Sequence, residues 1–298
     1  MTHISKTIVF FGTDEFSAVS LRELIAKGFS IAAVVTKPDS QKGRGRKLTK
    51  SIVKEIAEAH NIPVWQPLKV VEIAEQVKAL GDPIGVLVSY GKIIPESIIS
   101  LFTPGIVNVH PSLLPKYRGP SPVESAILHG DTETGVTIMQ LSKAMDAGPI
   151  YSQITVTLTD TETAPALESQ LAELGAQQLT LTLPAIISGQ AVPTPQHDEI
   201  ATYCQLLSKD NSVLDTKKLT AEQAERQVRA YLTFPKTKTE VSGHQLVITK
   251  ARITNESESI LSIACADARF LTIDELIGPS GKPMTAKAFL NGYGKSRS

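Results

Sequence analysis

Asn108-Val109-His110 closes a short apolar run, Gly105 to His110, and residues two apart on a strand face the same side. An amide and an imidazole can therefore converge on one point. Pro111, Pro115, Arg118, Gly119, Pro120 and Pro122 follow, too much proline for a strand or helix, so the segment reads as a rigid surface loop. Ser121 to Gly130 then reads as a short helix, and Gly135 to Leu141 as a strand leading to Asp146-Ala147-Gly148. An amide, an imidazole and a carboxylate at strand ends and loops suit acyl-group chemistry. His110 alone is weak evidence, because a single histidine is more often a satisfied polar group. Its pairing with Asn108 ahead of a proline-rigid loop is what favours a site. Asp146 fits either a carboxylate carried into a cleft or a turn residue, and Tyr117 and Arg118 also read as plain loop residues.

These groups need a scaffold that presents strand ends. Thr7 to Gly12, Ile31 to Thr36, Ile84 to Ser89 and Gly105 to His110 are apolar runs of strand length, with a brief one near Val64. Helical spacing recurs between them, over Phe16 to Lys27, about Lys50 to Asn61 and about Val70 to Leu80, with a short helix from Pro95. Strands apolar on both faces and separated by helices predict an α/β fold with a doubly wound, mostly parallel sheet. Ligands of such sheets bind at the carboxyl ends of the strands, where Asn108 and His110 lie. The first strand-to-helix turn, Gly12 to Phe16, lacks the three-glycine dinucleotide fingerprint, so NAD binding is rejected.

A long helix from Ala164 to about Ile187 closes the first domain, taken as 1–189. Pro193 and Pro195 mark a linker, 190–205. An amphipathic helix, Leu219 to Tyr231, then precedes short alternating runs that read as a small β-barrel over 206–298, of the kind that binds oligonucleotides. At 298 residues, two domains are expected. Residues 1–205 carry 16 basic and 20 acidic side chains and the remainder 14 and 10, so the second domain is the basic one. Cys204 and Cys265 have no metal-ligand spacing, no metal is expected, and Met1 to Lys6 lacks the build of a signal peptide. A monomer in a reducing cytoplasm fits. Lys42, Arg44, Arg46, Lys47 and Lys50 are interleaved with glycine and have no acidic neighbour from Gln41 to Lys54. That pattern is either a solvated loop or a basic finger that grips phosphates.

The run Asn108-Val109-His110-Pro111-Ser112-Leu113-Leu114-Pro115, with Arg118-Gly119 and Pro122 after it, resembles the signature of folate-dependent formyltransferases. Gly130-Asp131, Thr134 to Met139 and Asp146-x-Gly148 continue the likeness. Within that superfamily the chain is most similar to the methionyl-tRNA formyltransferases, through Phe11-Gly12-Thr13, Lys37-Pro38-Asp39 running into Gly43-Arg44-Gly45-Arg46, and Tyr90-Gly91-Lys92-Ile93-Ile94-Pro95. It departs from them at Lys116 to Pro122, where Arg-Trp-Arg-Gly-Ala-Ala-Pro is usual, and at Arg229 to Lys236.

The resemblance implies transfer of a formyl group from 10-formyltetrahydrofolate to the α-amino group of methionyl initiator tRNA. It implies that Asn108 and His110 stabilise a tetrahedral intermediate with Asp146 assisting. Ser112, Leu113, Leu114 and Pro115, with Gly91, Lys92, Ile93 and Ile94, are implied to line the folate site. Lys42, Arg44, Arg46 and Lys47 are implied to hold the tRNA. The rival readings are a formyltransferase acting on a nucleotide-linked amino sugar, and a non-catalytic RNA-binding relative.

Overall fold

The computed structural model describes residues 6–42 and 47–293. The chain opens with β1 (Ile8–Phe11), α1 (Glu15–Ala26), β2 (Ile31–Val35), β3 (Ser40–Lys42), β4 (Lys47–Thr49), α2 (Ile52–Ala59) and β5 (Val64–Trp65). A 3-10 turn (Val70–Ile73) runs into α3 (Ala74–Ala79), followed by β6 (Ile84–Leu87), α4 (Glu96–Ile99), β7 (Ile106–His110) and α5 (Pro122–His129). Then come β8 (Glu133–Gln140), β9 (Ile150–Thr157), α6 (Ala164–Ile187) and α7 (Ala221–Ala230). The chain ends in β10 (Thr237–Val241), β11 (His244–Thr254), β12 (Ser262–Ala264), β13 (Phe270–Ile277), β14 (Pro283–Thr285) and α8 (Ala286–Tyr293).

The residues group into two compact units: 1–119 with 134–156 and 168–203, and 120–133 with 157–167 and 204–298. The first is built on a sheet ordered β5-β2-β1-β6-β7-β8-β9. Strands β5, β2, β1, β6 and β7 are parallel, and β8 is antiparallel to β7. This is the expected doubly wound, mostly parallel α/β fold. Its strand order reverses between β1 and β6, the place where such sheets open a crevice. Here side chains tie the two sides: the Ser89 hydroxyl donates to Asp14, and Thr13 Oγ1 donates to the Tyr90 carbonyl at 3.1 Å. Asp14 also caps α1, accepting from Ser17 N at 3.1 Å.

The helix–sheet packing decides which way β7 faces. A Cβ built on Gly175 of α6 would lie 2.8 Å from Val109 Cγ1 and 3.3 Å from Val136 Cγ1, so the helix backbone rests flush on the Val109 side of the sheet. Alternation along the strand then sends Asn108 and His110 to the opposite face. Three elements go beyond the sequence reading. The basic segment is flanked by a hairpin, β3 paired with β4 with Lys42 opposite Lys47, and residues 150–157 form a strand, β9. The third is the closing helix α8.

The second unit holds an antiparallel sheet ordered β10-β11-β13-β12, with β14 also on β13. Its core joins Leu246, Ile248, Leu271, Ile273 and Leu276 of the sheet to Ala224 and Val228 of α7 and Phe289 of α8. Among the described residues no helix is long and apolar enough to cross a membrane.

Candidate active site

Asn108 and His110 end β7 and are each only 5% exposed. The register pairs Leu87 of β6 with Asn108, and Thr137 of β8 with His110, so both neighbouring strands wall the pair. His110 Nε2 lies 2.9 Å from the Tyr117 carbonyl oxygen. A carbonyl only accepts, so Nε2 carries the hydrogen and the neutral ring presents the Nδ1 lone pair. Nδ1 faces Asp146 Oδ2 at 3.8 Å, too far for a direct hydrogen bond and wide enough for a bridging donor. The Asp146 carboxylate is itself held, accepting the Gly119 N–H at 2.9 Å. The Asn108 side-chain amide, in contrast, has no hydrogen-bond partner among the described residues.

The loop after His110 is fixed by Thr137, which is fully buried. Its hydroxyl donates to the Ser112 carbonyl at 2.6 Å and accepts from Leu114 N at 3.1 Å and Gln153 Nε2 at 2.9 Å. Ser112, also fully buried, donates its hydroxyl to the Lys116 carbonyl at 2.5 Å. Leu113 is half-buried, and a Cβ on Gly135 would meet its Cδ2 at 2.6 Å. The Pro115 carbonyl accepts from Thr202 N at 3.1 Å.

Arg118, 2% exposed, donates to Gln196 Oε1 from Nε at 3.1 Å and from Nη2 at 2.8 Å. It also donates to Asp198 Oδ1 at 2.6 Å and to the Tyr203 hydroxyl at 3.2 Å. Burial disfavours the charge, but the bonds to Asp198 and Tyr203 outweigh it and raise the guanidinium above its ordinary value.

Residues 5–183 match the family model described as formyl transferase, and residues 206–294 match that of the formyl transferase C-terminal domain. The methionyl-tRNA formyltransferase of Pelobacter propionicus is 37% identical over 300 residues, which cover 97% of this chain and 93% of the relative. That of Stutzerimonas stutzeri is 38% identical over 289 residues, covering 93% and 91%. The chain belongs to the methionyl-tRNA formyltransferase family. It is a formyl-group transferase. An N-formyltransferase from Helicobacter canadensis, solved with folinic acid and dTDP-3-aminofucose, shares the fold at a TM-score of 0.70 and 21% identity over 90% of this chain and 98% of that one.

Of the residues the family resemblance pointed to, the structure brings His110 and Asp146 to one place and puts Asn108 on the same strand face. Gly91 has φ +68°, and a Cβ there would meet Lys37 Nζ at 2.5 Å. Lys92 Nζ donates to the Pro67 and Leu68 carbonyls at 2.9 and 3.1 Å. Ile93 is 88% exposed, whereas the Ile94 side chain is buried in the core beside Tyr90. Among the described residues, the N–H groups of Gly91 to Ile94 have no acceptor. Arg44 and Arg46 lie outside the described residues, and of Lys42 and Lys47 only the paired backbone is described.

The sequence reading missed Gln196 and left Arg118 open. The one available signal was Arg118-Gly119 itself: arginine is almost never fully buried unless paired, so a rigid loop that buries one requires partners elsewhere in the chain. Among the described residues, no group of three or more His, Cys, Asp or Glu side chains is placed to hold a metal ion.

Proposed function

We propose that this chain transfers the formyl group of 10-formyltetrahydrofolate to the α-amino group of methionyl initiator tRNA at the Asn108–His110–Asp146 site. The observation that carries the site is the gap between His110 Nδ1 and Asp146 Oδ2, 3.8 Å across, with an acceptor on each side. An amine arriving as ammonium finds both acceptors there. Asp146 attracts its charge, and Nδ1 takes a proton, leaving the lone pair free to attack. Attack on the formyl carbon converts its carbonyl oxygen to an oxyanion. The unengaged Asn108 amide donates to it, an interaction worth about 3 kcal/mol in comparable sites. In the intermediate the attacking nitrogen still holds two hydrogens and a positive charge. As it collapses, the carbon–N10 bond breaks, N10 receives the first proton back from His110, and the attacking nitrogen loses its second through Asp146 to solvent, so that ammonium and formyl donor become formamide, tetrahydrofolate and one released proton.

The donor's fit rests on Gly91 to Ile94. These peptide N–H groups lack acceptors among the described residues and lie just beyond β6, the strand paired with β7. A pterin ring edge, carrying several acceptors, matches such a row. Leu113 to Pro115 bound the other side of the folate site, with Ser112 holding their loop. For the tRNA, Lys42, Arg44, Arg46 and Lys47 supply cations in one short segment with no acid among them, as phosphate binding requires. A cytoplasmic location follows from the use of charged initiator tRNA.

The test is formyl transfer to methionyl initiator tRNA, run beside a nucleotide-linked amino sugar and repeated with His110→Ala. Formylmethionine that disappears with the substitution is expected. A formylated sugar with untouched tRNA would keep the chemistry and overturn the substrate. Replacing Arg44 and Arg46 with alanine should also flatten the salt dependence of tRNA binding, by about one unit of log–log slope per lost phosphate contact.

A further inference from the structure

Gln196 lies outside the pattern that marked the site, yet its side chain is saturated. Oε1 accepts twice from Arg118, at 3.1 and 2.8 Å, while Nε2 donates to the Asp146 carbonyl at 2.8 Å and the Gly148 carbonyl at 2.7 Å. Two acceptor and two donor positions are all that an amide has. Arg118 offers only donors, so it also decides which end of the amide is oxygen and turns the NH2 toward the 146–148 loop.

That loop needs an external hold. Asp146 sits at φ +47°, a left-handed backbone that few non-glycine residues adopt, and from it the carboxylate accepts the Gly119 N–H and faces His110. The two carbonyls that Gln196 grips flank Ala147, so both peptide planes around the turn are fixed. The segment carrying Gln196 is pinned in turn. Ile150 and Thr194 exchange both backbone bonds at 2.8 Å, and Arg118 N donates to the Thr202 carbonyl at 2.9 Å. Tyr117 N donates to Thr202 Oγ1, also at 2.9 Å. Residues 194–203 thus strap the loop after β7 to the loop between β8 and β9.

We infer that Gln196 is a positioning residue for formyl transfer, holding the Asp146 carboxylate across from His110 through the main chain at 146 and 148. The inference rests on the proposed reaction. All four hydrogen-bonding positions of the Gln196 side chain are taken by Arg118 and the two carbonyls, leaving none for the carboxylate or the imidazole, so its effect passes through the main chain of Asp146. Its side chain is also specific. Glutamate would accept from Arg118 but oppose two carbonyl oxygens, and methionine would fill the space with no hydrogen bonds.

The experiment compares Gln196→Met, Gln196→Glu, Asp146→Asn and the Gln196→Met/Asp146→Asn double variant in the full-length protein. It reads kcat and KM for both substrates, together with hydrogen exchange at the Gly119 amide. Both Gln196 variants should lose about 10- to 100-fold in kcat, the scale of a reacting group displaced by an ångström. KM should stay within about twofold, since no substrate contact is removed. The Gly119 amide, whose acceptor is the Asp146 carboxylate, should exchange about tenfold faster. In the Asp146→Asn background the Gln196→Met change should add almost nothing. Wild-type kcat in Gln196→Glu would overturn the inference by tracing the role to Arg118, and additive losses or an unchanged Gly119 amide would overturn it as well. A wild type that does not formylate tRNA would instead sink the reaction. The exchange measurement, which needs no substrate, still decides whether Gln196 holds the carboxylate.

Discussion

His110 Nε2 faces the Tyr117 carbonyl oxygen at 2.9 Å, a bond between a strand end and the loop that leaves it only seven residues later. A backbone acceptor cannot change protonation state, so it keeps a hydrogen on Nε2 and leaves Nδ1 as the nitrogen that gains and loses a proton. Nδ1 is thereby turned toward Asp146, and the rest of the site follows from that orientation.

The first prediction concerns this pair. His110→Ala should lower kcat by about 10³-fold and Asp146→Asn by about 10²-fold, the range of general acid–base groups. Because both act on the same amine, the double variant should be little worse than His110→Ala, far from the product of the two losses. Steady-state kinetics on all three variants checks this. Multiplicative losses would mean that the two side chains serve separate steps.

Thr137 bears on the loop that carries Ser112 to Pro115. Thr137→Val keeps the shape but removes the acceptor of Leu114 N–H and Gln153 Nε2–H and the donor to the Ser112 carbonyl. Leaving such buried groups unmet costs about 2 kcal/mol, whereas Thr137→Ser keeps the hydroxyl and should cost under about 1 kcal/mol. Denaturant midpoints of the two variants make the comparison, and a Thr137→Ser loss as large as that of Thr137→Val would mean that packing of the methyl group matters as much as the hydroxyl.

How far the sequence carried the reading can be seen residue by residue. The strand-face logic of Asn108 and His110 needed only alternation, a local property. The buried parallel strands were legible because they are apolar on both sides. Residues 150–157 were not, since IYSQITVT is mostly half-exposed at the sheet's end and lacks the apolar run that marks a central strand. Gln196 was invisible for a different reason: its bonds to Asp146 and Gly148 span 50 and 48 residues, and no local pattern encodes a contact at that separation. Composition alone marked 190–205 as a proline-bearing linker, although within it the backbone of Thr194 pairs with Ile150 and that of Thr202 with Pro115 and Arg118.

Tyr90 offers a stability prediction of opposite sign. Its side chain lies in the core, 1% exposed, against Phe11 at 5.6 Å between ring centroids, and its hydroxyl has no hydrogen-bond partner among the described residues. Burial pushes the phenol up to about 12. Removing an unsatisfied buried hydroxyl returns the cost of desolvating it, so Tyr90→Phe should stabilise the protein by about 1 kcal/mol. Chemical denaturation of the variant against the wild type checks the sign, and a loss of stability would show that the hydroxyl is satisfied in solution.

The second unit carries a charge cluster with a definite pH signature. Asp160 Oδ2 accepts from Arg226 Nη2 at 2.6 Å, and Oδ1 accepts from Arg229 Nη2 at 2.7 Å. The Arg226 hydrogen bond, opposed by burial and aided by Arg229, holds this carboxyl below the usual aspartate value. A carboxyl depressed in the folded state adds stability that is complete above its unfolded value of about 3.9 and is lost as pH falls through the folded one. The Asp160 side chain is 45% exposed, so solvent screening limits the effect, and Asp160→Asn should cost about 1 kcal/mol at pH 7. Glu225, raised mainly by burial despite its bond to Arg229, titrates with the opposite sign. It is present in both proteins and largely cancels in their difference. Unfolding midpoints of wild type and Asp160→Asn at neutral pH and at successive acid steps should therefore show a gap that closes only below about pH 4. A gap that stays constant into acid would mean that Asp160 contributes through its shape and hydrogen bonds alone, without its charge.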